Sequence, residues 1–567
     1  MTPALGEAIM SASKYDVAIV GGGLAGLSLA IQLTRRVPTL SVVVIERTAH
    51  PVPVAAHKVG ESLVELSTFY FSDVLGLKSH LDDKQLPKLG LRFFFHTDEE
   101  KAQSARLIEE RVELGASHFP PSPSYQIDRG IFENYLAEKC KELGVTFLDN
   151  VKARAIEVSR SSDPHLVEIE HASTQSCETI EAKWIVDACS RASILKRKLG
   201  LGKKSTHKVS SAWFRIGAKL DISEWSESSA WIGDHQGDNS RWFSTNHLMG
   251  KGYWVWIIPL SSGSTSIGIV ADNEIHPLKT YDSIDKAMEW LRKYEPQCAE
   301  KIAACLDRLQ DFCFLQNFSH DCKQVFSEER WFLTGEAGVF LDPFYSPGSD
   351  LIAISNTFVT NIIEADYRGE NVNGMVSILN TFYLNICKNT NRIYQDKYEI
   401  FGNPLVMSAK ITWDFSVYWS FTASLFIQGV FFDFKKTFAL REQFEYLGEL
   451  NREVQNFFRE WNKKPQAHSQ SAYIDQLGMP FLRELNAGLY DQIDDDEFAR
   501  KFGQNVENLK LLAHDIVEYA VGRHEDLGVI RAEMTTLEDL PETADHEENS
   551  MAALLNTIQP TSMFQNT

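Results

Sequence analysis

Gly21-Gly22-Gly23-Leu24-Ala25-Gly26 constrains this chain more than any other segment. A short apolar run, residues 15–20, precedes it, and an apolar helical stretch from 24 to about 34 follows. Residues 41–45 then form a second β-branched run, which completes a β-α-β unit. The pattern is G-x-G-x-x-G between strand and helix. Gly21 allows the tight turn, Gly23 lets backbone approach a pyrophosphate, and Gly26 lets helix and strand pack closely. The helix N-terminus then faces the phosphates. Glu46 ends the second strand, where a carboxylate accepts hydrogen bonds from ribose hydroxyls. A dinucleotide-binding sheet is the expected core.

At 567 residues the chain is too long for one simple core, and two or three regions are expected. The formal charge of -21 argues against nucleic acid and against an anionic membrane surface as partners. The eight cysteines, at 140, 177, 189, 298, 305, 313, 322 and 387, include no C-x-x-C and no zinc spacing. They suit the reduced thiols of a cytoplasmic protein, and no metal site is expected. The N-terminal residues lack the charged and apolar regions of a signal peptide. The most apolar stretch, 417–432, spans 16 residues and includes Ser, Thr and Gln. A spanning helix needs about 20 apolar residues, so a buried or pocket-lining helix is expected there.

Helices are expected at 131–143, 283–293 and 299–308, and short strands at 146–150, 153–157, 166–169, 184–187 and 331–334. Residues 209–270 are β-rich, with turn clusters at 233–239 and 261–264. Beyond about 373 the period is helical, and from about 538 the chain is polar, acidic and expected to be disordered. The expected fold is α/β: a Rossmann-like dinucleotide-binding domain, an interleaved β-rich substrate region and a helical C-terminal region. The segments are 14–205, 206–330, a return to the first domain over 331–372, 373–537, and the tail 538–567.

Ile127-Asp128-Arg129-Gly130, Trp184-Ile185-Val186-Asp187-Ala188 and Phe332-Leu333-Thr334-Gly335-Glu336-Ala337-Gly338 resemble, in order, segments of flavoproteins with the p-hydroxybenzoate hydroxylase fold. The resemblance implies FAD, with Arg129 on the cofactor and the late Gly335-Glu336 near the ribityl chain. Glu336 stands where the family carries Asp. Ala25, Arg47 and Asp187 complete the cofactor set that the resemblance implies.

Trp254-Val255-Trp256-Ile257-Ile258-Pro259 spells W-x-W-x-I-P, whose two indoles share one face of a strand. With Leu86-Pro87-Lys88-Leu89-Gly90, downstream of Val59-Gly60-Glu61-Ser62, and with the loop Phe340-Leu341-Asp342-Pro343-Phe344-Tyr345-Ser346-Pro347-Gly348-Ser349, it resembles the flavin-dependent halogenases. That family implies an indole wall beside the flavin, a lysine that handles hypohalous acid, and a loop whose amides hold halide. Here those roles fall on Trp254 and Trp256, on Lys88 with Lys58 as a rival, and, for halide, on Gly348 and Ser349; the resemblance also makes Ser346 catalytic and puts Pro343 and Gly348 on the cofactor. Tyr345 replaces the Glu of tryptophan halogenases, as in phenol- and pyrrole-acting relatives. Pro347 lacks an N–H, removing one expected halide donor. Among Glu61, Asp342 and Asp350, spacing singles out no general base.

The implied activity is halogenation of a phenol or pyrrole, free or carrier-bound, using FADH2, O2 and halide, with a separate reductase supplying the reduced cofactor. A halide-independent monooxygenase or oxidoreductase on the same fold is the alternative. A flavin-binding or carrier-interaction protein without turnover is a third reading.

Overall fold

The computed structural model describes residues 13–55, 58–97, 107–233, 240–465, 469–537 and 551–559. Two sheets organise it. In the first, Trp331–Leu333, Cys177–Asp187, Ser13–Val20, Val42–Ile45 and Thr146–Leu148 lie parallel in that order. Val42–Ile45 is Val-Val-Val-Ile and wholly buried, as a strand covered on both faces requires. The helix Leu24–Arg36 packs between this sheet and the long helix Pro347–Tyr367. The glycine turn leaves the first strand at its carboxyl end, and Ala188 leaves Cys177–Asp187 beside it, where Gly21 approaches Ala188. In open α/β sheets ligands bind at these carboxyl ends.

The second sheet orders its eight strands as Leu309–Leu315, Val209–Ile216, Thr265–Asp272, Tyr253–Pro259, Thr245–Gly250, Leu91–Phe95, Val112–Gly115 and Ala472–Asp475. The β-rich unit is therefore not confined to 206–330. Two strands come from the expected cofactor segment, and one from the helical region, pairing parallel with Val112–Gly115. Pairing across hundreds of residues leaves no local pattern in the sequence.

The helix expected at 299–308 is Pro296–Ala303, because Pro296 suits a first helical turn, followed by one 3₁₀ turn at Leu306–Arg308. Residues 417–432 are helical and largely buried, with a π-helical stretch at Tyr418–Ala423. The turn cluster at 233–239 lies outside the described residues beyond Gly233. The tail expectation is corrected in part. Met551–Asn556 is a helix, with Met551, Leu554, Leu555 and Ile558 buried against the C-terminal helices. Their helical spacing gives a short apolar face that the acidic composition around it masks; the rest of 538–567 lies outside the described residues. No helix among the described residues is long and apolar enough to cross a membrane.

Candidate active site

A single cavity of about 1180 Å³ runs from the glycine turn to the second sheet. At one end Gly21, Gly23, Ala25, Glu46, Arg47, Arg129, Gly335 and Glu336 line it; at the other, Trp254, Trp256, Pro343, Ser346, Gly348 and Ser349 do. The three glycines of the fingerprint differ in kind. A Cβ on Gly21 would meet Ala188 O at 2.4 Å, and Gly21 has φ +115. A Cβ on Gly26 would meet Gly21 O at 1.9 Å. A Cβ on Gly23 would meet nothing within 4 Å. Packing within the protein requires the first two. Gly23 leaves an open cradle at the helix N-terminus, where an anion would be met by free amides. Glu46 accepts from Gly22 N at 2.7 Å through Oε2 and from Thr48 N at 2.8 Å through Oε1, which holds the carboxylate at the cavity wall. These features fit the FAD that the motifs imply.

Two members of the expected cofactor set do not line the cavity. Gly26 is buried under the turn. Asp187 is wholly buried and accepts from Cys189 N at 3.0 Å and Leu195 N at 2.8 Å. A strand-end acid can brace the following loop as readily as face a ligand, and here it braces Cys189–Leu195. Glu336 reaches Ser190, which donates to its carboxylate. Arg129 and Lys58 both pair with Glu133 on the cofactor side of the cavity.

Both indoles line the cavity on one face of the strand Tyr253–Pro259. Trp254 and Trp256 are buried, with ring centroids 5.7 Å apart. Trp254 Nε1 donates to Tyr398 Oη at 3.0 Å, and Tyr398 donates to Asp342 at 2.6 Å. Asp342 also faces His207 Nε2 at 2.7 Å and accepts from Phe344 N at 3.0 Å. Phe344 packs against Trp254 at 5.3 Å. Asp342 thus ties the wall to the 340–349 loop.

That loop ends at Ser346, a left-handed residue (φ 59, ψ 38) that caps Pro347–Tyr367. Pro347 takes the first helical position, where its fixed φ suits the turn. Gly348 and Ser349 follow in the uncapped first turn and line the cavity, so two of the helix's leading amides remain at the wall. Tyr345 turns away and donates to Asp414 at 2.9 Å.

Ser346 Oγ donates to Ser62 Oγ at 3.0 Å, and Lys88 Nζ donates to the same oxygen at 2.9 Å. Ser62 also meets Thr245 Oγ1 at 3.0 Å. Ser62, Ser346 and Thr245 line the cavity; Lys88 does not, and stands one hydroxyl behind it. Among the described residues a hydroxyl bridge through Ser62 joins the cavity to the lysine. Lys88 is 1% exposed, and burial pushes its ammonium down to about 8 against the opposing pull of Glu65 and Asp350. Burial also raises the Asp350 and Glu61 carboxyls, each to about 7. Sequence reasoning quoted Ser62 only as part of a motif and gave Thr245 and Glu65 no role. Ser62 was legible through its neighbour Glu61; Thr245 and Glu65 carried no signal.

An FAD-binding domain family model matches residues 14–293, so the chain is an FAD-binding flavoprotein. Its similar proteins include flavin-dependent halogenases. The flavin-dependent halogenase chlA of Dictyostelium discoideum is 28% identical over 445 residues, covering 73% of this chain and 71% of that protein. A 1H-pyrrole-2-carbonyl-(peptidyl-carrier protein) brominase of Pseudoalteromonas luteoviolacea is 27% identical over 344 residues, 59% of this chain and 73% of the relative. The solved halogenase PltM in complex with phloroglucinol and FAD shares the fold, with a TM-score of 0.62, 17% identity, and 92% of this chain and 98% of that one covered.

Proposed function

We propose that this flavin-dependent halogenase acts on an electron-rich phenolic or pyrrolic ring, free or carrier-bound, with Lys88 presenting hypohalous acid to it. The hydrogen-bonded line from Ser346 through Ser62 to Lys88 carries the reading, because it joins the cofactor cavity to a buried ammonium. Reduced FAD, when bound, supplies with O2 the oxidising equivalent that converts halide to hypohalous acid.

The chain's own residues do the rest. The amides of Gly348 and Ser349, at the positive end of a 21-residue helix, hold the halide. Trp254 and Trp256 keep the arene off the cofactor and exclude water. Ser62 passes a hydrogen bond between Ser346 and Lys88, whose ammonium then polarises the O–X bond by donating to its oxygen. Tyr345 supplies no carboxylate, so the ring must be rich enough to react without one there. Two relatives support this ring class: one is named for a carrier-bound pyrrole, and a structural neighbour was solved with phloroglucinol. A separate flavin reductase in the cytoplasm supplies the reduced cofactor.

The test is a panel of phenols and pyrroles with FAD, a reductase, O2 and bromide. Lys88→Ala abolishes brominated product, whereas Lys58→Ala retains it. Product formation surviving in Lys88→Ala would remove Lys88 from the reaction.

A further inference from the structure

His247 lines the cavity beside the two indoles, and the reaction above gives it no part. It belongs to the strand Thr245–Gly250, where it shares a face with Thr245 two residues earlier. The side chain is 1% exposed. Its ring stacks on Phe93 at 4.8 Å and meets Trp254 at 5.4 Å and Phe344 at 5.6 Å. Nδ1 lies 3.1 Å from Arg92 O. A carbonyl only accepts, so Nδ1 carries the proton and Nε2 a lone pair. The Thr245 carbonyl also faces the ring, but a neutral imidazole has one N–H to give, and Arg92 takes it. Burial holds the ring neutral: it pushes the imidazolium down to about 3, against the pull of Arg92 O and helped by the charge of Lys88. Among the described residues Nε2 closes no hydrogen bond.

The other polar groups at this end of the cavity are engaged. Trp254 Nε1 donates to Tyr398, and Trp256 Nε1 to Ser266 Oγ at 3.2 Å. Asp342 is occupied by His207, Tyr398 and Phe344 N. The Glu61 carboxyl faces Ser266, Arg215 and Arg129. Ser62 is different. Its oxygen accepts from both Ser346 and Lys88, so its one O–H is left to donate, to Thr245 or to a guest. Thr245 touches Ser62, and two residues along a strand span about 6.4–6.8 Å. A lone-pair acceptor and a hydroxyl donor therefore face the cavity a small molecule's length apart.

A guest that joins them must give an O–H to Nε2 and take a hydrogen bond on the same oxygen. Halide has no hydrogen to give, and neither has a hypohalite anion. Hypohalous acid, HO–X, does both, and its halogen then lies against the rings of Trp254 and Phe344. We infer that His247 Nε2 and the Ser62 hydroxyl form a holding site for hypohalous acid between the halide loop and Lys88. This rests on the halogenase reading. So weakly basic an imidazole accepts the O–H without stripping the proton, which keeps the guest as the acid and spares the less electrophilic anion from forming.

The experiment uses the full chain with FAD, a reductase, O2, bromide and resorcinol, with a dimedone-type halogen trap in excess in the solution. The readout is the ratio of brominated resorcinol to brominated trap. That ratio does not depend on how much hypobromous acid forms, so it reads retention alone. Wild type brominates mainly the ring. His247→Phe keeps the stack on Phe93 and lacks the acceptor, and its ratio falls about threefold to tenfold. His247→Gln carries an acceptor to the same depth and recovers most of the ratio. Should His247→Phe fail to fold, His247→Asn, which can still donate to Arg92 O but ends short of Nε2, shows the same fall. A wild-type ratio in the Phe or Asn variant would overturn the holding site, as would an equal fall in the Gln variant or a wild type that brominates mainly the trap. Absence of bromine from both ring and trap in the wild type would instead overturn the halogenase reading beneath it.

Discussion

Alanine substitution at the three fingerprint glycines separates what the fold needs from what the cofactor needs. Gly23 has φ -89 and ψ -170, an extended conformation open to any residue. Its missing Cβ faces empty space. As the N-cap it loses about 0.5–1 kcal/mol on becoming alanine. Stiffening the unfolded chain returns about 0.4–1 kcal/mol. Gly23→Ala therefore leaves the melting temperature of the FAD-free protein nearly unchanged. Its methyl group occupies the cradle and holds a phosphate off the helix amides, removing one or two charge-assisted hydrogen bonds of about 1.5–3 kcal/mol each. FAD affinity should fall about tenfold to a hundredfold or more. Gly26→Ala behaves in the opposite sense: its Cβ would stand 1.9 Å from Gly21 O, so stability falls whether or not FAD is present. The assay pairs thermal melts of FAD-free protein with FAD titration by flavin fluorescence. If Gly23→Ala unfolds as readily as Gly26→Ala, or binds FAD like wild type, the assignment of that cradle to the pyrophosphate is refuted.

Ser62→Ala removes the hydroxyl between Ser346 and Lys88; product formation falls about tenfold or more while FAD binding holds, and unchanged turnover would exclude the bridge. Lys88 ionises near 8 when folded against 10.5 as its ordinary value. The proposed role needs the ammonium, so kcat/KM falls as pH rises through about 8, and a profile flat to pH 9.5 would contradict that role. Between those two values the unfolded chain binds more protons, so this group's contribution to stability rises with pH across that window. Trp256→Ala opens the wall, and oxygenated side product should appear by mass spectrometry if the indoles keep substrate from the cofactor. Leu555→Ala costs about 2–5 kcal/mol in denaturant titration, because that side chain is wholly buried in the terminal helix; a cost near zero would mean the terminal helix adds nothing to the core.

The cofactor half of the cavity was legible because its signals are local: a glycine turn, a strand end and an acid at fixed spacing. The indole wall was legible for the same reason, since period-two alternation places Trp254 and Trp256 on one face. Asp187 shows the limit of such reading, as its strand-end position was right and its carboxylate points into the loop it braces. The Lys88 surroundings were hidden. Ser62, Glu65, Thr245, Asp350, Tyr418 and Trp419 meet through tertiary packing of segments up to hundreds of residues apart, and no pattern in any one segment records that meeting. The strand Ala472–Asp475 was missed likewise, because its partner lies 360 residues away in sequence.

The most direct test is the mass of the product from purified protein with FAD, a reductase, O2 and bromide, using resorcinol as the ring. The account predicts a bromine isotope doublet that requires bromide and disappears in Lys88→Ala. A hydroxylated product formed equally well without halide would contradict it.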